Sequence, residues 1–577
     1  MLCSELECGG GGWGYFFACM FQFYILKGVH RLKKLTFALL VMLIGLALIA
    51  GGCGGDGGTT DGGTTDGGEE AGGEEMVFRY NVGTEPETMD VHLSTGIPEA
   101  TIMLQIYEGL TRLNEEGLPE LALAESVDVS DDGLVYTFTL RDGLVWSNGE
   151  PLTAEDFEKS WKRALSPELA ADYAYMLWYI KGAEAYNSGE GSADDVMVEA
   201  LDEKTLQVTL EAPTSFFMSL VAFKTYYPLY QPAVEADPEG WHTSADTIVG
   251  NGPFKMVSWA QGQMEFVPNE NYYDADAVIL DRMIFTMVEN ESTELTMFET
   301  GEIDMTHTVP GQEIPRLEQT GELHILPYLG TYYYIFQIEK PPLDDINVRK
   351  ALTLAIDREA IVENVTQGGQ LPAYAYVPYG IPEPDGVDFR EKGGDYFAPD
   401  VEEAQRLLAE AGYPGGEGFP SVEILYNTSE MHKMIAEAIQ EMWKQNLGIE
   451  NVTLTNQEWG VYLNTRDEGD FQIARAGWIG DYLDPYTFLD MWMTGSGNNN
   501  SRFSNEDYDN LLREVRMTDD DVARMEMMHQ LEEILMEEMP ICPIYYYTDP
   551  IMIKDYVKGY VNIAIGGKDF KAAYIEK

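Results

Sequence analysis

The sequence predicts a mixed α/β fold that comprises more than one domain. The chain has 577 residues, which is longer than one ordinary domain, and 45% of them are hydrophobic, which is enough to fill large cores. In the second half, short apolar segments alternate with amphipathic ones. The pattern predicts strands at 422–426, 452–455 and 471–474 and helices at 344–361, 401–411, 431–445 and 520–539. Strands that alternate with helices indicate α/β layering.

The first half of the chain combines antiparallel strands with few helices. Thr153-x-x-Asp156 is typical of a capping box, so we expect a long helix over 154–165. The other elements predicted here are a strand at 77–83, a helix at 100–110, a strand at 201–210 and a helix at 213–222.

The net charge of the chain argues against several classes of partner. At −62, it repels nucleic-acid phosphates and anionic lipid headgroups. The acidic residues are spread along the chain rather than gathered in a tail. We therefore expect no nucleic-acid partner.

Cysteine and histidine usage argues against a metal or a catalytic centre. Only Cys542 of the five cysteines lies beyond residue 53, so the body can form no disulfide framework. The seven histidines are scattered, and the phosphate-loop, nucleophile-elbow and zinc-helix motifs are missing. We therefore expect no cofactor, no metal and no enzymatic activity. The 98 acidic residues leave an acid–base pair open in principle, but no particular pair stands out.

The first 75 residues resemble an export leader followed by a tether. A basic segment at 30–34 precedes an apolar run at 35–50, and small residues lead to Cys53, as in a bacterial lipoprotein signal. Ala50 departs from that pattern, which usually has leucine there. We expect a signal peptide at 29–52, lipidation of Cys53 and a flexible acidic linker to residue 75. Residues 1–28 fit neither a domain nor a signal, and we interpret them as a mis-called extension. The alternative for the apolar run is a transmembrane helix, for which it is short.

One stretch near the end of the chain concentrates polar chemistry. Arg475, Trp478 and Asp481 fall within seven residues, and Gly477 and Gly480 allow a second backbone to come close. The run that begins with the strand at 471–474 breaks at Gly477, so these groups should lie at a strand-to-loop exit. A carboxylate with apolar neighbours needs a cation. That cation is either an internal lysine or arginine or an ammonium group that arrives with a ligand.

Several motifs in both halves resemble the oligopeptide-binding proteins of ABC importers, which are family 5 extracellular solute-binding proteins. The resemblance covers the chain from about Met76 to the C-terminus. The segments that carry it are 107–113, 121–126, 130–141, 146–157, 248–254 and 474–489.

The resemblance implies a two-lobed, periplasmic-binding-protein-like clamshell of type II, similar to cluster C, with an extra inserted subdomain. The first lobe would comprise 76–115, 229–338 and 545–577, the inserted subdomain 116–228, and the second lobe 339–544. Two tyrosine triplets, at 332–334 and 545–547, read as strands far apart in sequence. The resemblance implies that these strands cross between the lobes and form the hinge. By local pattern alone, they are equally two ordinary core strands.

The resemblance also assigns ligand contacts to residues of this chain. It implies that Asp481 holds the α-amino group of a peptide and that Tyr173 faces the peptide across the cleft. By local pattern alone, Tyr173 belongs to an aromatic cluster that could equally be core packing. The peptide backbone would pair in strand fashion near Ile97 on one side and near Gly477 and Ile479 on the other.

The remaining expected contacts are aromatic walls and cations for the carboxylate of the peptide. Trp459 would line a side-chain pocket, and Trp478 lies within the motif itself. His432, Arg466 and Arg475 are candidates for the carboxylate, each suited to a different peptide length. Arginine suits this role because its fork binds a carboxylate in two places.

The implied function is capture of short peptides for import. The partners would be the permease and ATPase subunits of an ABC transporter, with the protein a monomer, held by its lipid anchor on the extracytoplasmic face of the cell envelope. Two alternatives stay open. One is another solute in the same fold, such as a dipeptide, a nickel chelate or a sugar, and the other is a membrane-anchored hydrolase.

Overall fold

The computed structural model of the protein describes residues 75–576. The expectations for the extension at 1–28, the signal peptide at 29–52, Cys53 and the linker up to residue 74 lie outside the described residues. Within the described part of the chain, no helix is both long and apolar enough to cross a membrane.

The first lobe is built on a four-stranded sheet with an aromatic inner face. Its strands, in spatial order, are Val77–Asn81, Arg282–Thr286, Gln263–Pro268 and Phe254–Ala260. The first two pair in parallel and the rest antiparallel. Because side chains alternate along a strand, Phe78 and Tyr80 both point inward and pack against Phe570. The C-terminal segment therefore completes the core of this lobe.

A second four-stranded sheet, fully antiparallel, forms a subdomain. Its strands, in spatial order, are Ala124–Val129, Val135–Leu140, Thr205–Thr209 and Val198–Asp202. Helix Ala154–Ala164 packs on it through Phe157 and Trp161. The predicted capping box is confirmed, since the Asp156 carboxylate accepts the Thr153 backbone N–H at 2.8 Å.

Two predictions in this region were wrong. The expected single strand at 201–210 is a hairpin, because the Asp202 carboxylate accepts the backbone N–H of Lys204 at 2.8 Å and closes a turn. The expected helix at 213–222 is a single turn, Phe217–Leu220. Separate turns, closed by hydrogen bonds such as Phe217 N–H to the Thr214 carbonyl and Phe223 N–H to the Leu220 carbonyl, take the place of a regular helix. The Phe217 side chain enters the core, and the ring of Phe216, just before the helical turn, stacks on Tyr482.

The second lobe is built on a six-stranded mixed sheet. Its strands, in spatial order, are Leu371–Pro372, Ile541–Met552, Leu323–Phe336, Ile473–Ile479, Val422–Asn427 and Val452–Gln457. Hydrophobic side chains on both faces are buried: Tyr332 and Tyr334 belong to one core, whereas Tyr333 and Ile335 belong to another. Such two-sided burial explains the nearly continuous apolar runs of these strands. The larger helices around the sheet are Ile346–Leu354, Val401–Glu410, Glu430–Leu447, Trp459–Asp467, Glu506–Met517 and Asp521–Glu538.

The two tyrosine triplets lie on the two longest strands of this sheet. Tyr332 pairs with Tyr545 inside the sheet, and the pairing is interrupted between Pro327 and Thr331. Beyond the interruption, the same strands pair again from Leu323 to Pro327 and continue toward the first lobe, where Ile553 bridges to Met305. The hinge role and the lobe boundaries stay predictions, but the triplets themselves are part of the six-stranded sheet.

The strand Ile473–Ile479, called the site strand below, is longer than predicted. It does not end at Gly477, which pairs with Tyr332, and it continues until Ile479 pairs with Gly330. Gly477 serves close packing rather than a break, because a Cβ there would lie 2.4 Å from the Tyr547 hydroxyl.

Shorter elements complete the described fold. The strands are Thr111–Leu113 with Pro119–Leu121, Val557–Lys558 with Tyr574–Ile575, and Val561–Asn562 with Lys568–Asp569. The α-helices are Ile97–Ile106, Ala183–Asn187, Gln231–Ala236, Glu291–Thr300, Ile314–Leu317, Arg358–Ile361, Phe389–Gly393 and Tyr486–Leu489.

Candidate functional site

Two adjoining cavities lie between the lobes. The first, called the Asp481 cavity, has a volume of about 130 Å³, and the second, called the Arg475 cavity, has about 290 Å³. Both are lined by Ile97, Trp459, Gly477 and Ile479. The shared lining makes them two ends of one cleft, with the site strand along its floor.

Asp481 is a buried carboxylate without a salt-bridge partner among the described residues. Its Oδ1 accepts the hydroxyl of Tyr173 at 3.3 Å, and its Oδ2 accepts the hydroxyl of Thr487 at 3.2 Å. Burial raises its pKa to about 7, against the opposing effects of Lys224 and of these two hydroxyl groups. No lysine or arginine within residues 75–576 forms a salt bridge with it. The carboxylate is therefore oriented by neutral donors and is ready for a positive charge.

Backbone groups of the site strand face the cleft. Strand Val422–Asn427 pairs with one edge of the site strand, but only as far as Ala474. Beyond Ala474, this edge has no neighbouring strand among residues 75–576. On the opposite edge, the Trp478 carbonyl lies against Gly330 and the Gly480 N–H donates to Leu329. Because successive residues of a strand point their backbone groups to opposite edges, those of Gly477 and Ile479 point to the unoccupied edge.

Arg475 lies at the other end of the cleft, in the Arg475 cavity. Its guanidinium donates to the Tyr547 hydroxyl at 2.6 Å and to Asn427 Oδ1 at 3.3 Å, and it lies 4.8 Å from the centre of the Tyr332 ring. Its Nε has no hydrogen-bond partner, and no carboxylate of the described residues forms a salt bridge with it. The charge is thus available to a ligand.

His432 lies in the same cavity as Arg475 but is neutral. Its Nδ1 is 3.4 Å from the hydroxyl of Tyr332. Burial, together with the charge of Arg475, holds the pKa of His432 well below its ordinary value. The imidazole can therefore exchange a hydrogen bond with a ligand but cannot add a second positive charge.

Arg466 lies in the Asp481 cavity and not with the other two candidate cations. Its Nε is 3.9 Å from Asp467, and its guanidinium lies over Tyr462. Glu87 and Asp172 also interact with its charge, and burial raises their pKa values to about 7 and about 6. Arg466 therefore faces acidic groups of the protein itself.

The aromatic residues predicted for the site form the walls of the cleft. The Trp478 ring is 6.0 Å from the Tyr173 ring, beside Asp481. Trp459 stands at the junction of the two cavities, and its indole N–H donates to Glu99 at 3.1 Å. Ile97 contributes from the start of a first-lobe helix. All ten predicted residues thus line one or both cavities.

Sequence reasoning missed two cations of the Asp481 cavity, Arg112 and Lys224. Arg112 forms salt bridges with Glu108 at 2.6 Å and with Asp569 at 2.5 Å. Lys224 gave a usable signal: it is a single charge within the apolar and aromatic run 221–227. The same reasoning that singled out Asp481 would have found it.

The cleft is closed by contacts between the two sides. Trp459 and Asn464 of one helix donate to Glu99 and Glu87 of the first lobe, at 3.1 Å each. At one end, Ser429 donates to Glu291 at 2.7 Å. At the other end, the ring centres of Phe216 and Tyr482 are 4.6 Å apart in a parallel stack, and Arg516 forms a salt bridge with Glu184.

Relatives and solved structures agree with this architecture. The family model of the bacterial extracellular solute-binding proteins, family 5 Middle, matches residues 119–500. The chain is 40% identical over 556 residues to the oligopeptide-binding protein OppA of Bacillus subtilis strain 168, covering 94% of this chain and 100% of the relative. The structure matches Haemophilus influenzae OppA in complex with RPPGFSPFR at a TM-score of 0.82 and 33% identity, covering 88% of this chain and 100% of that one.

A comparison with an open form supports the closed state. The unliganded open form of the periplasmic murein tripeptide-binding protein MppA gives a TM-score of only 0.58 at 33% identity, covering 87% of this chain and 98% of that one. Since the identity equals that of the OppA complex, the lower score reflects conformation rather than distance in sequence. The matches confirm the expected two-lobed α/β fold of type II. The chain therefore belongs to family 5 of the bacterial extracellular solute-binding proteins, which are solute receptors and not enzymes.

Proposed function

We propose that the protein binds short peptides in its closed cleft and delivers them to the permease of an ABC importer. One observation carries this proposal: the segment that contains the site strand leads from the partly buried Arg475 to the buried Asp481, and neither charge has a salt-bridge partner among residues 75–576. A free backbone edge lies between them. An extended zwitterion with its own backbone donors and acceptors complements such a cleft, and a solved complex of H. influenzae OppA with a peptide supports the same ligand class.

The α-amino group of the peptide binds Asp481. An ammonium group replaces the missing cation and forms charge-assisted hydrogen bonds with the two carboxylate oxygens. Tyr173 and Thr487 already hold those oxygens in place, so little ordering remains to be done on binding. This contact is available to any peptide with a free amino terminus.

The backbone of the peptide adds a strand to the site strand. Gly477 and Ile479 offer it their N–H and C=O groups, and Ile97 approaches from the first lobe. With its amino end at Asp481 and its carboxyl end toward Arg475, the peptide runs antiparallel to the site strand. Contacts of this kind are alike for every sequence, so affinity does not require strong side-chain selectivity.

The carboxylate of the peptide binds at the Arg475 cavity. Arg475 supplies the charge and His432 a hydrogen bond, while Trp459 and Trp478 flank the side chains. We propose Arg466 as a contact closer to the amino end, because it lies in the Asp481 cavity. Waters in the roomy parts of the cleft satisfy differing side chains.

Delivery uses the rest of the chain. We propose that Cys53 carries lipid that anchors the protein to the membrane, and that the acidic linker lets the body turn toward the permease. We propose that the chain passes between the lobes along the two strands that carry the tyrosine triplets, and that the protein acts as a monomer. ATP hydrolysis takes place on separate subunits of the importer.

Calorimetry with a matched pair of peptides tests the amino-end contact. We expect Asp481→Asn to weaken tetra-alanine binding by about 100-fold or more, since it removes a buried ion pair. N-acetyl-tetra-alanine, which lacks the ammonium, should bind weakly to the native protein and equally weakly to the variant.

The control for this experiment is Asp132→Asn, which changes an exposed acid of the subdomain and should leave the affinity unchanged. Equal affinity of Asp481→Asn and the native protein for tetra-alanine would refute the assignment. Recovery of the peptide intact after incubation separates a receptor from a peptidase.

A further inference from the structure

Lys224 is a buried cation in the Asp481 cavity. The proposed peptide contacts at Asp481 and Arg475 do not involve it. Its residue is 5% exposed, and its ammonium lies 5.2 Å from the ring centre of Tyr173 and 5.0 Å from that of Phe223. In the part of the chain that the structure describes, the ammonium has neither a salt bridge nor a hydrogen-bond partner. Its closest contacts are thus cation–π contacts with these two rings.

The backbone that carries Lys224 is held by the core of the subdomain. Tyr226, two residues later, is buried and donates its hydroxyl to the Met176 carbonyl at 2.6 Å. The Tyr226 carbonyl accepts the indole N–H of Trp161 at 2.7 Å. Lys224 is thus positioned by the core of the subdomain rather than by a partner for its own charge.

The other charges of the cavity are already compensated. Arg112 has two acidic partners, and Arg466 interacts with Asp467, Glu87 and Asp172. The charges that act on Lys224 are those of Asp481 and Glu99. Of these two, Asp481 acts more strongly. Glu99 Oε1 accepts the indole N–H of Trp459 and the backbone N–H of Glu87, and burial raises the pKa of Glu99, which weakens it as a counter-charge.

A bound peptide changes the balance at Lys224. Burial lowers the pKa of Lys224 to about 8, which leaves the group charged at neutral pH. In the empty cleft, Asp481 offsets part of that charge. Once the ammonium of a peptide neutralises Asp481, the buried Lys224 loses its principal counter-charge, which is unfavourable unless the peptide brings a replacement.

We propose that Lys224 is a specificity-determining residue that favours peptides with a carboxylate side chain on their amino-terminal residue. This inference rests on the proposed function, in which Asp481 holds the α-amino group. The first side chain branches from the carbon that carries this amino group, so it lies in the same cavity as Lys224. A peptide with glutamate or aspartate at this position would bring its ammonium group to Asp481 and its side-chain carboxylate to Lys224.

The net charge of the protein does not oppose this preference. A total of −62 repels acidic peptides at long range. Such repulsion is screened over about 8 Å at physiological ionic strength, whereas contacts inside the closed cavity are screened much less. The selection therefore comes from the cavity, and it should persist at high salt.

Calorimetry with three peptides, Glu-Ala-Ala-Ala, Gln-Ala-Ala-Ala and Lys-Ala-Ala-Ala, tests the proposal. The native protein should bind the Glu peptide about 10- to 100-fold tighter than the Gln peptide, as expected for a hydrogen bond between charged groups, and the Lys peptide weakest. Lys224→Met should abolish the difference between the Glu and Gln peptides, and Lys224→Arg should retain it. Lys159→Met, an exposed lysine of the same subdomain, is the control and should behave as the native protein does.

Several outcomes would overturn the inference and leave the proposed function in place. The native protein could bind the Glu and Gln peptides equally, or Lys224→Met could keep the preference or shift all three affinities by one factor. The last result would make Lys224 a counter-ion of Asp481 and nothing more. Failure of the native protein to bind any of the three peptides would instead refute the proposed function itself. If Lys224→Met does not fold, the comparison within the native protein and with Lys224→Arg still decides.

Discussion

Asp481 combines burial with the lack of a salt-bridge partner among residues 75–576, and both properties come from the fold. Its residue is 9% exposed, and the donors nearest to it are the neutral hydroxyl groups of Tyr173 and Thr487. Burial therefore raises its pKa to about 7 in the empty protein. An ammonium group favours the ionised form, so a bound peptide should lower that pKa again.

Peptide affinity should therefore depend on pH with a defined sign. Below about pH 7, the empty cleft holds a protonated Asp481, and binding must release this proton. For tetra-alanine, we expect the affinity to fall by up to about tenfold for each pH unit below 7. Calorimetry from pH 5 to pH 7.5, in buffers of different ionisation enthalpy, measures both the affinity and the protons released.

Asp481→Asn is the control for the pH dependence. It should bind weakly and should lose most of the slope between pH 5 and pH 7. A slope that survives unchanged in this variant would mean that another acid, such as Glu87, titrates on binding.

At the scale of elements, the site strand was predicted in type and place but not in length. The sequence treats Gly477 as a stop, because glycine interrupts an apolar run. In the structure, its role is set by Tyr547, which lies on a strand about 70 residues later and fills the space that a side chain would take. Local pattern cannot reveal such a contact, because the partner is chosen by the tertiary fold.

Gly477→Ala should affect binding through this strand neighbour. The new Cβ would lie 2.4 Å from the Tyr547 hydroxyl, which accepts the hydrogen bond of Arg475. A displaced Tyr547 releases the guanidinium from its position, so we expect tetra-alanine affinity to fall by about tenfold, the value of one charged hydrogen bond. Calorimetry on the variant and the native protein measures the change.

A peptide with an amidated carboxyl terminus shows whether the effect passes through Arg475. The variant should discriminate less than the native protein between tetra-alanine and its amide. Gly480→Ala, on the same segment but with its Cβ at least 3.2 Å from Phe488, should change the affinity little. Equal discrimination in Gly477→Ala and the native protein would contradict this route.

Residue patterns alone predicted one segment of the site, and the family resemblance supplied its distant members, such as Tyr173 and Trp459. Asp481 and Trp478 stand in one continuous segment, which a reader of the sequence can see. Lys224 was overlooked because the predicted helix ended just before it, whereas the structure replaces most of that helix by turns that point Lys224 into the cavity. The cavity joins residues from distant parts of the chain, between residues 95 and 566, and only the fold determines that they meet.

For the whole molecule, the closed state depends on a close backbone approach between the lobes. Gly497 of the second lobe lies against Asp172 of the subdomain side, and a Cβ at Gly497 would be 2.6 Å from the Asp172 Cα. Gly497→Val should therefore obstruct closure while leaving each lobe intact. We expect a loss of peptide affinity of at least about tenfold, with an unchanged melting temperature of the empty protein.

Small-angle scattering measures closure directly. The native protein should become more compact when tetra-alanine is added, and Gly497→Val should not. Gly460→Ala is a matched control, because its Cβ also faces the opposite lobe but has 3.8 Å of space before Glu87. Full compaction of Gly497→Val with peptide would show that the lobes close without this approach.

The position of both charged anchors on one short, continuous segment of the chain has a kinetic consequence. Arg475 and Asp481 are joined by a continuous segment of the second lobe, so their separation stays the same whether the lobes are apart or together. A peptide can thus dock with both ends on a single lobe before the other arrives. Capture then becomes a bimolecular encounter with a preformed half-site, followed by a unimolecular closing step. We expect the observed association rate to rise linearly with peptide concentration at first and then to level off at the rate of closure.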